Sequence, residues 1–169
     1  MQDKADQKKV RIEHLAGYYD AEHHNTILTL ASWIQEEWEH SFLEATFEEL
    51  VSELEERTTC RRIPGTFVAL DGNRLVGTAS IVTHDMSTRL DISPWLSAVY
   101  VPPEFRNRGI GSRLVRKVMQ EAQILGAKRL YLFTPDRMRF YTRLGWNILE
   151  QTRYYGEDVV IMSYEIEAP

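Results

Sequence analysis

The residue types best suited to chemistry lie together in one short segment, residues 106–111, which reads Arg-Asn-Arg-Gly-Ile-Gly. Its two glycines carry no Cβ, so a phosphate can approach the backbone closely. Apolar residues at helical spacing follow, from Ile110 to Ala122, and the free N–H groups and the dipole at a helix start attract an anion. The segment therefore predicts either an anion site, reinforced by its arginines, or only a tight turn between a strand and a helix.

The spacing of the glycines excludes two common phosphate-binding motifs. A P-loop needs Gly-x-x-x-x-Gly-Lys-[Ser/Thr], which this segment lacks. A dinucleotide-binding fingerprint needs a third glycine, but position 114 is Leu. That fingerprint also needs an acidic residue about 20 positions later, at the end of a second strand, and none is present there. The glycines alone therefore leave the identity of the anion open.

The elements that must position this segment follow from the hydrophobic spacing. Residues 10–15 alternate apolar and polar side chains, which predicts a first strand. Two helices should follow, through residues 27–38 and residues 47–54. Thr46 is a suitable cap for the second of these helices, because acidic residues fill its first turn.

The rest of the chain alternates strands and helices. The predicted strands are residues 66–70, 75–82, 95–101, 130–133, 147–154 and 159–166. An Asp-Gly step at positions 71 and 72 joins the first two as a hairpin. The helix after the glycines should end at Gly126, and Pro135 should open a short helix that ends near Gly145. The order β-α-α-β-β-β-α-β-α-β-β predicts an α/β (or α+β) domain, with a mixed central sheet flanked by helices.

Length and composition bound the class of protein. The chain has 169 residues, of which 43% are hydrophobic and 27% charged, and this suits one globular domain. We expect residues 1–9 to form a flexible tail and residues 10–169 the domain. Apolar runs stay well short of the roughly 20 residues of a membrane helix, and the lone Cys60 favours a reducing, cytoplasmic setting. The net charge of −5 argues against nucleic-acid binding.

Two stretches resemble landmarks of the GNAT N-acetyltransferase superfamily. Residues 96–114, Leu-Ser-Ala-Val-Tyr-Val-Pro-Pro-Glu-Phe-Arg-Asn-Arg-Gly-Ile-Gly-Ser-Arg-Leu, resemble its acetyl-CoA signature, Arg/Gln-x-x-Gly-x-Gly/Ala after a strand that ends in Val-x-Pro. Residues 140–146, Phe-Tyr-Thr-Arg-Leu-Gly-Trp, resemble its second landmark, Phe-Tyr-x-x-x-Gly-Phe. With the matching element order, the resemblance covers essentially residues 10–166. It implies an acetyl-CoA-dependent N-acetyltransferase with the GNAT fold.

The resemblance also assigns roles to individual residues. Backbone groups of Val99 and Val101 would pair with the pantetheine amides where two strands splay apart, and Tyr141 would donate a proton to the departing thiolate. Many relatives carry a cofactor-contacting Asn where this chain has Thr134. The predicted cofactor-binding residues are Val99, Tyr100, Val101, Arg106, Asn107, Arg108, Gly109, Ile110, Gly111, Ser112 and Thr134. The basic residues attracted to the phosphates, unless they lie on a solvated helix face, are Arg106, Arg108, Arg113, Arg116 and Lys117.

The implied reaction is direct attack of a primary amine on the thioester within a ternary complex. The amine must lose a proton, so a carboxylate or imidazole near the thioester would serve as base. Of the candidates Asp85, His84 and Asp91, the sequence favours Asp91, because the Ser-Pro-Trp that follows resembles a Pro-Trp-Leu stretch in one branch of these enzymes. Trp95 would either wall the acceptor site or be buried in the core.

The acceptor side of the superfamily is bordered by the two helices after the first strand, and here these helices are acidic. Residues 32–56 hold nine glutamates and no Lys or Arg. Most suit a solvated helix face, and Glu36 and Glu37 are the preferred contacts for a small cationic amine. The alternatives are a protein or peptide N-acetyltransferase and a non-catalytic acyl-CoA sensor. We expect no metal, because the His and Cys spacing matches no ligand set, and a monomer or homodimer.

Overall fold

A computed structural model describes residues 10–18, 23–59 and 61–168. The predicted tail of residues 1–9 and Cys60 lie outside the described residues. The described chain follows the predicted element order. Its strands are β1 (Val10–His14), β2 (Gly65–Asp71), β3 (Arg74–Val82), β4 (Trp95–Tyr100), β5 (Arg129–Thr134), β6 (Asn147–Tyr154) and β7 (Glu157–Glu165). Its α-helices are α1 (His23–Trp38), α2 (Phe47–Glu56), α3 (Ile110–Ile124) and α4 (Met138–Thr142).

The strands form one sheet in the order β1-β2-β3-β4-β5-β7-β6. Strands β1 to β4 are antiparallel neighbours, and so are β5, β7 and β6. The two halves meet at β4 and β5, which run parallel and pair at Trp95 and Tyr131. The expected mixed sheet is therefore confirmed, and the parallel junction lies at its centre.

Helices cover both faces of the sheet, and the alternation of side chains along β2 shows why. Phe67 and Ala69 pack in a cluster with the apolar face of α3 and with Tyr141 of α4. Val68 and Leu70, which point to the opposite face, pack in a cluster with α1 and α2. The sheet is thus the middle layer between α1 and α2 on one side and α3 and α4 on the other.

The start of α2 is fixed by a capping box. Thr46 Oγ1 accepts the Glu49 N–H at 3.2 Å, and Glu49 Oε2 accepts the Thr46 N–H at 2.7 Å. These two bonds satisfy donors that the helix itself leaves unpaired. They also fix the end of the loop between α1 and α2. None of the described helices has the length and apolar character required to cross a membrane.

Helix α4 and strand β7 begin at other residues than predicted, and the local geometry at each start gives the reason. Helix α4 begins at Met138 instead of Pro135, because Thr134 Oγ1 accepts the N–H groups of Asp136 at 3.4 Å and Arg137 at 2.9 Å and holds this stretch as a turn. Strand β7 begins at Glu157 instead of residue 159. The hairpin before it is tight, with Tyr155 at φ 49° and Gly156 at φ 77°.

Candidate active site

A cleft of about 930 Å³ opens where β4 and β5 meet. Within the described chain the two strands pair at one position, Trp95 with Tyr131, close to the start of β4. Beyond that pair, residues 96–101 and residues 132–134 line opposite sides of the cleft. The strands therefore separate, as the resemblance implied. The volume is within the range of sites that bury a ligand of cofactor size.

A bulge in β4 turns its backbone toward the cleft. Ser97 lies opposite Ser80 and Tyr100 opposite Thr78, so β4 holds one residue more than β3 over this stretch. Ala98 has a left-handed φ of 50°, which is uncommon for a residue other than glycine. The bulge interrupts the β3–β4 ladder where the cleft begins.

The N-terminus of α3 opens into the same cleft without a side-chain cap. Gly109 is the N-cap at φ 75°, and the first bond of the helix runs from the Arg113 N–H to the Gly109 carbonyl at 3.1 Å. The N–H groups of residues 110–112 consequently have no partner within the helix. A Cβ at Gly77 would lie 2.9 Å from Leu114 Cδ1, so this glycine allows α3 to pack closely on β3. Backbone donors and the helix dipole together make a site for an anion.

Tyr141 lies on the wall of this cleft and is 8% exposed. Its ring contacts those of Phe140 and Trp146, with centroids 5.0 and 6.1 Å away. Burial raises the pKa of its hydroxyl well above the ordinary value of 10, the positive charge of Arg137 opposes this, and the negative charges of Asp136 and Asp85 add to it. The hydroxyl therefore remains protonated and can act as a donor.

Residues 27–146 match the Acetyltransferase (GNAT) family. This chain belongs to the GNAT acetyltransferase family. The predicted family is thereby confirmed, and so is the assignment as an acetyl-CoA-dependent N-acetyltransferase. No match was found among curated proteins.

Solved structures share the GNAT fold over almost the whole chain. An aminoglycoside 6'-N-acetyltransferase complexed with coenzyme A has a TM-score of 0.71 at 17% identity, covering 94% of this chain and 98% of that one. The Salmonella typhimurium protein yncA with its cofactor acetyl-CoA has a TM-score of 0.70 at 16% identity, covering 94% and 95%. A GNAT-family acetyltransferase from Streptococcus pneumoniae has a TM-score of 0.67 at 19% identity, covering 94% and 99%. The predicted fold is therefore confirmed.

Most of the predicted cofactor residues of this GNAT chain do line the cleft. Those that do are Val99, Tyr100, Val101, Arg106, Asn107, Gly109, Ile110, Gly111, Ser112 and Thr134. The Val101 carbonyl already accepts Arg106 Nε at 2.8 Å, so a ligand bound to this oxygen would share it. Arg108 is the exception, because its Nη2 donates to the Glu104 carbonyl at 3.2 Å and its guanidinium lies over the Phe105 ring.

The basic residues of α3 do not gather at the anion site as expected. Arg113 Nη2 donates to the Val10 carbonyl at 2.6 Å and ties α3 to β1. Lys117 Nζ lies 6.0 Å from the centre of the Phe67 ring, on the sheet side of the helix. Two arginines that the sequence did not single out, Arg137 and Arg143, line the cleft from the two ends of α4. In the sequence, only their position close to Phe140-Tyr141 indicated that these two arginines could lie at the site.

Of the three candidate bases, Asp85 lines the cleft, and His84 and Asp91 do not. Asp85 Oδ1 accepts a hydrogen bond from Ser97 Oγ at 2.7 Å. Burial raises the pKa of Asp85 to about 6, against the opposing effects of the Ser97 hydrogen bond and the Arg57 charge. Asp91 is exposed, and Arg89 binds its two oxygens at 2.9 and 3.0 Å and lowers its pKa. The structure thus places Asp85 on the cleft and leaves Asp91 outside it, and the role of base stays a prediction.

Trp95 and Glu36 also lie away from the cleft. Trp95 is fully buried, and its Nε1 donates to the Ile92 carbonyl at 2.9 Å. It therefore belongs to the core and does not wall the acceptor site. Glu36 is exposed on α1 and does not line the cleft, whereas its neighbour Glu37 does. Glu157, at the β6–β7 hairpin, and Asp136 are acids on the cleft that the sequence did not single out.

The loop between α1 and α2 reaches across to the other half of the sheet. Phe42 packs edge-on against Phe133 of β5, with ring centroids 5.1 Å apart, and is stacked on Tyr154 of β6 at 5.9 Å. Phe42 and Phe133 both line the cleft. The loop therefore borders the cleft, which Asp85 and Glu157 also line. Within residues 10–18, 23–59 and 61–168, no group of three His, Cys, Asp or Glu side chains could hold a metal.

Proposed function

We propose that this GNAT enzyme transfers the acetyl group of acetyl-CoA to the primary amine of a small cationic acceptor, with Asp85 as general base and Tyr141 as general acid. One observation carries the proposal. A carboxyl whose pKa is about 6 and a phenol that stays protonated line the same cleft as an uncapped helix N-terminus. The environment of one group favours accepting a proton and that of the other favours donating one, which is the pattern expected of an acid–base pair.

The cleft suits acetyl-CoA at its α3 end. The N–H groups of residues 110–112 and the left-handed Gly109 would hold the pyrophosphate, and the nearby guanidinium of Arg106 would add charge. Arg137 and Arg143 would attract the phosphates from the side of α4. The two solved structures with bound coenzyme A or acetyl-CoA have the same fold, which supports this assignment.

Bound acetyl-CoA supplies an activated acyl group, and the protein handles the protons. Asp85 accepts a proton from the incoming ammonium, so that the amine nitrogen can bond to the thioester carbon. Tyr141 gives its proton to the sulfur as the carbon–sulfur bond breaks. The newly bonded nitrogen loses its remaining extra proton to the Tyr141 phenolate, which restores the phenol, and Asp85 releases its proton to solvent. This sequence forms one amide and one thiol, with no covalent bond to the protein.

The charge and shape of the far end of the cleft favour a small cationic acceptor. Glu37 of α1, Glu157 of β7 and Asp85, in the loop after β3, all line the cleft. Carboxylates that line a cleft raise the local concentration of cations. The contact of Phe42 with Phe133 and Tyr154 bridges the two halves of the sheet, which supports a small molecule over an extended peptide.

Release of free thiol from acetyl-CoA tests the acceptor assignment. The assay compares a polyamine with an uncharged-tail amine, which is a primary amine of similar length whose remaining chain carries no charge. Glu37→Gln and Glu157→Gln should each raise the KM for the polyamine about fivefold, which corresponds to about 1 kcal/mol for a lost ion pair in water. The KM for the uncharged-tail amine should stay within about twofold. Glu36→Gln is the matched control, because Glu36 lies on the same helix outside the cleft. An unchanged polyamine KM in the Glu37, Glu157 double variant would refute the cationic acceptor.

A further inference from the structure

Three hydroxyl side chains cross the sheet in one row on the face that α1 and α2 cover. Thr66 of β2 lies opposite Ser80 of β3, and Ser80 lies opposite Ser97 of β4. Cross-strand partners share a face of the sheet, so the three hydroxyls are neighbours. Thr66 and Ser80 are each 1% exposed. The row runs between two apolar clusters, and its hydroxyls are polar groups inside the protein.

The row has a cation at one end and a carboxylate at the other. Arg57 Nη1 donates to Thr66 Oγ1 at 3.3 Å, and Thr66 Oγ1 lies 2.9 Å from Ser80 Oγ. At the far end Ser97 Oγ donates to Asp85 Oδ1 at 2.7 Å. A guanidinium only donates and an ionised carboxylate only accepts. Arg57, Thr66 and Ser80 therefore form one hydrogen-bonded group, and Ser97 with Asp85 forms another. Ser80 and Ser97 are cross-strand neighbours, and within the described residues no hydrogen bond joins their hydroxyls.

Arg57 is buried more deeply than a surface ion pair would require. Its side chain is 12% exposed, whereas that of its partner Glu53, at 3.2 Å, is 55% exposed. Its Nε is buried and has no hydrogen-bond partner among the described residues. Burying a charge with an incomplete set of partners is destabilising. Stability alone therefore does not explain why an arginine occupies this position at the end of α2.

We propose that Arg57 and the hydroxyl row are positioning residues for Asp85, which favour its carboxylate form and so set the pH at which the base becomes active. The proposal rests on the proposed function of Asp85. Arg57 acts on the carboxylate through its charge, and the Thr66–Ser80 pair acts by holding the guanidinium on this face of the sheet. Ser97 acts through its own hydrogen bond to Asp85. The row is not an exit for the proton, because a guanidinium cannot accept one.

Among the charged groups near Asp85, Arg57 is the one whose charge favours the carboxylate form. Arg57 and the Ser97 hydrogen bond lower the pKa of Asp85, and burial raises it. His84 precedes Asp85 in the same loop. The remaining titratable or charged side chains that line the cleft are Glu37, Tyr100, Arg106, Asp136, Arg137, Tyr141, Arg143 and Glu157.

The test follows the Asp85 carboxyl directly, by ¹³C NMR titration of protein labelled at aspartate, with Asp85→Asn to assign the signal. Thr66→Val removes one hydroxyl of the row and should raise the titration midpoint by about half a pH unit. Arg57→Met should raise it by about one pH unit. The matched controls Thr66→Ser and Arg57→Lys keep the hydroxyl and the charge and should stay near wild type. The acidic limb of the pH–rate profile of kcat should move by the same amounts.

The outcomes separate this proposal from the proposed function. The proposal is overturned if the Asp85 titration midpoint is the same in wild type, Thr66→Val and Arg57→Met. Circular dichroism must show that all three proteins are folded. If Arg57→Met does not fold, Thr66→Val and Ser80→Ala decide, because each removes a single hydroxyl. If Asp85→Asn instead keeps full activity, Asp85 is not the base, and the NMR midpoints still report whether the row acts on its carboxylate.

Discussion

Replacing Asp85 with Asn is expected to stabilise the folded protein at neutral pH while it removes activity. The pKa of Asp85 is raised from 3.8 to about 6 by burial. Between these two values the unfolded chain has released the proton and the folded chain still holds it. The free energy of unfolding therefore falls as pH rises from about 4 to about 6. Above that window the wild type carries the full penalty of a buried carboxylate, and the Asn variant does not.

The size of the gain follows from the difference between the two pKa values, which corresponds to about 3 kcal/mol. Asp85 keeps partial contact with water through the cleft, and this contact reduces the penalty. We therefore expect Asp85→Asn to gain about 1 to 2 kcal/mol near pH 7.5. Asn can still accept the hydrogen bond from Ser97 Oγ through its side-chain oxygen, so this contact need not be lost.

Urea unfolding of both proteins near pH 3.5 and near pH 7.5 measures this gain. The free energies of unfolding of wild type and Asp85→Asn should differ least at the lower pH, where the Asp85 carboxyl is largely protonated in both the folded and the unfolded chain. They should differ most at the higher pH. Asp91→Asn is the control. Arg89 stabilises the Asp91 carboxylate, so this change should give no gain at either pH. Equal or lower stability of Asp85→Asn near pH 7.5 would refute the reasoning.

Four further substitutions test other parts of the site. Tyr141→Phe should lower kcat about 100-fold and leave the acetyl-CoA Kd, from calorimetry, within about twofold, and a kcat near wild type would exclude the acid role. Gly109→Ala forces a side chain to φ 75° and should lose about 1 to 2 kcal/mol in urea unfolding. Gly111→Ala should lose less, because its Cβ meets ordinary contacts at 3.5 Å or more. Phe42→Ala should raise kcat/KM for a bulky amine relative to a small one, and an unchanged ratio would place Phe42 outside the acceptor border.

The fold was predictable because each element has its own local signal. Hydrophobic spacing predicted β6 at Asn147–Tyr154 with the bounds observed, and Thr46 with its acidic first turn predicted the start of α2. The late start of α4 came from side-chain hydrogen bonds that hydrophobic spacing does not report. Thr134 Oγ1 holds the turn that delays α4.

The anion end of the site was predictable for the same reason, and the acceptor end was not. Residues 106–112 form a continuous segment, so their types and spacing are read together. Asp85 and Glu157 lie far apart in sequence and meet only through the order of the strands. Trp95 was ambiguous because a buried ring and a ring on a cleft wall have the same sequence neighbours. Its complete burial is set by tertiary packing.

The central claim is that Asp85 and Tyr141 act on acetyl-CoA and an amine held together in one cleft. Mass spectrometry of a reaction with acetyl-CoA and a polyamine tests this most directly, because it detects the acetylated amine, free coenzyme A and the intact protein in the same sample. We predict one acetylated amine for each coenzyme A released, an unmodified protein, and neither product with the Asp85→Asn, Tyr141→Phe double variant. Tight acetyl-CoA binding without either product, or full turnover by the double variant, would contradict the account.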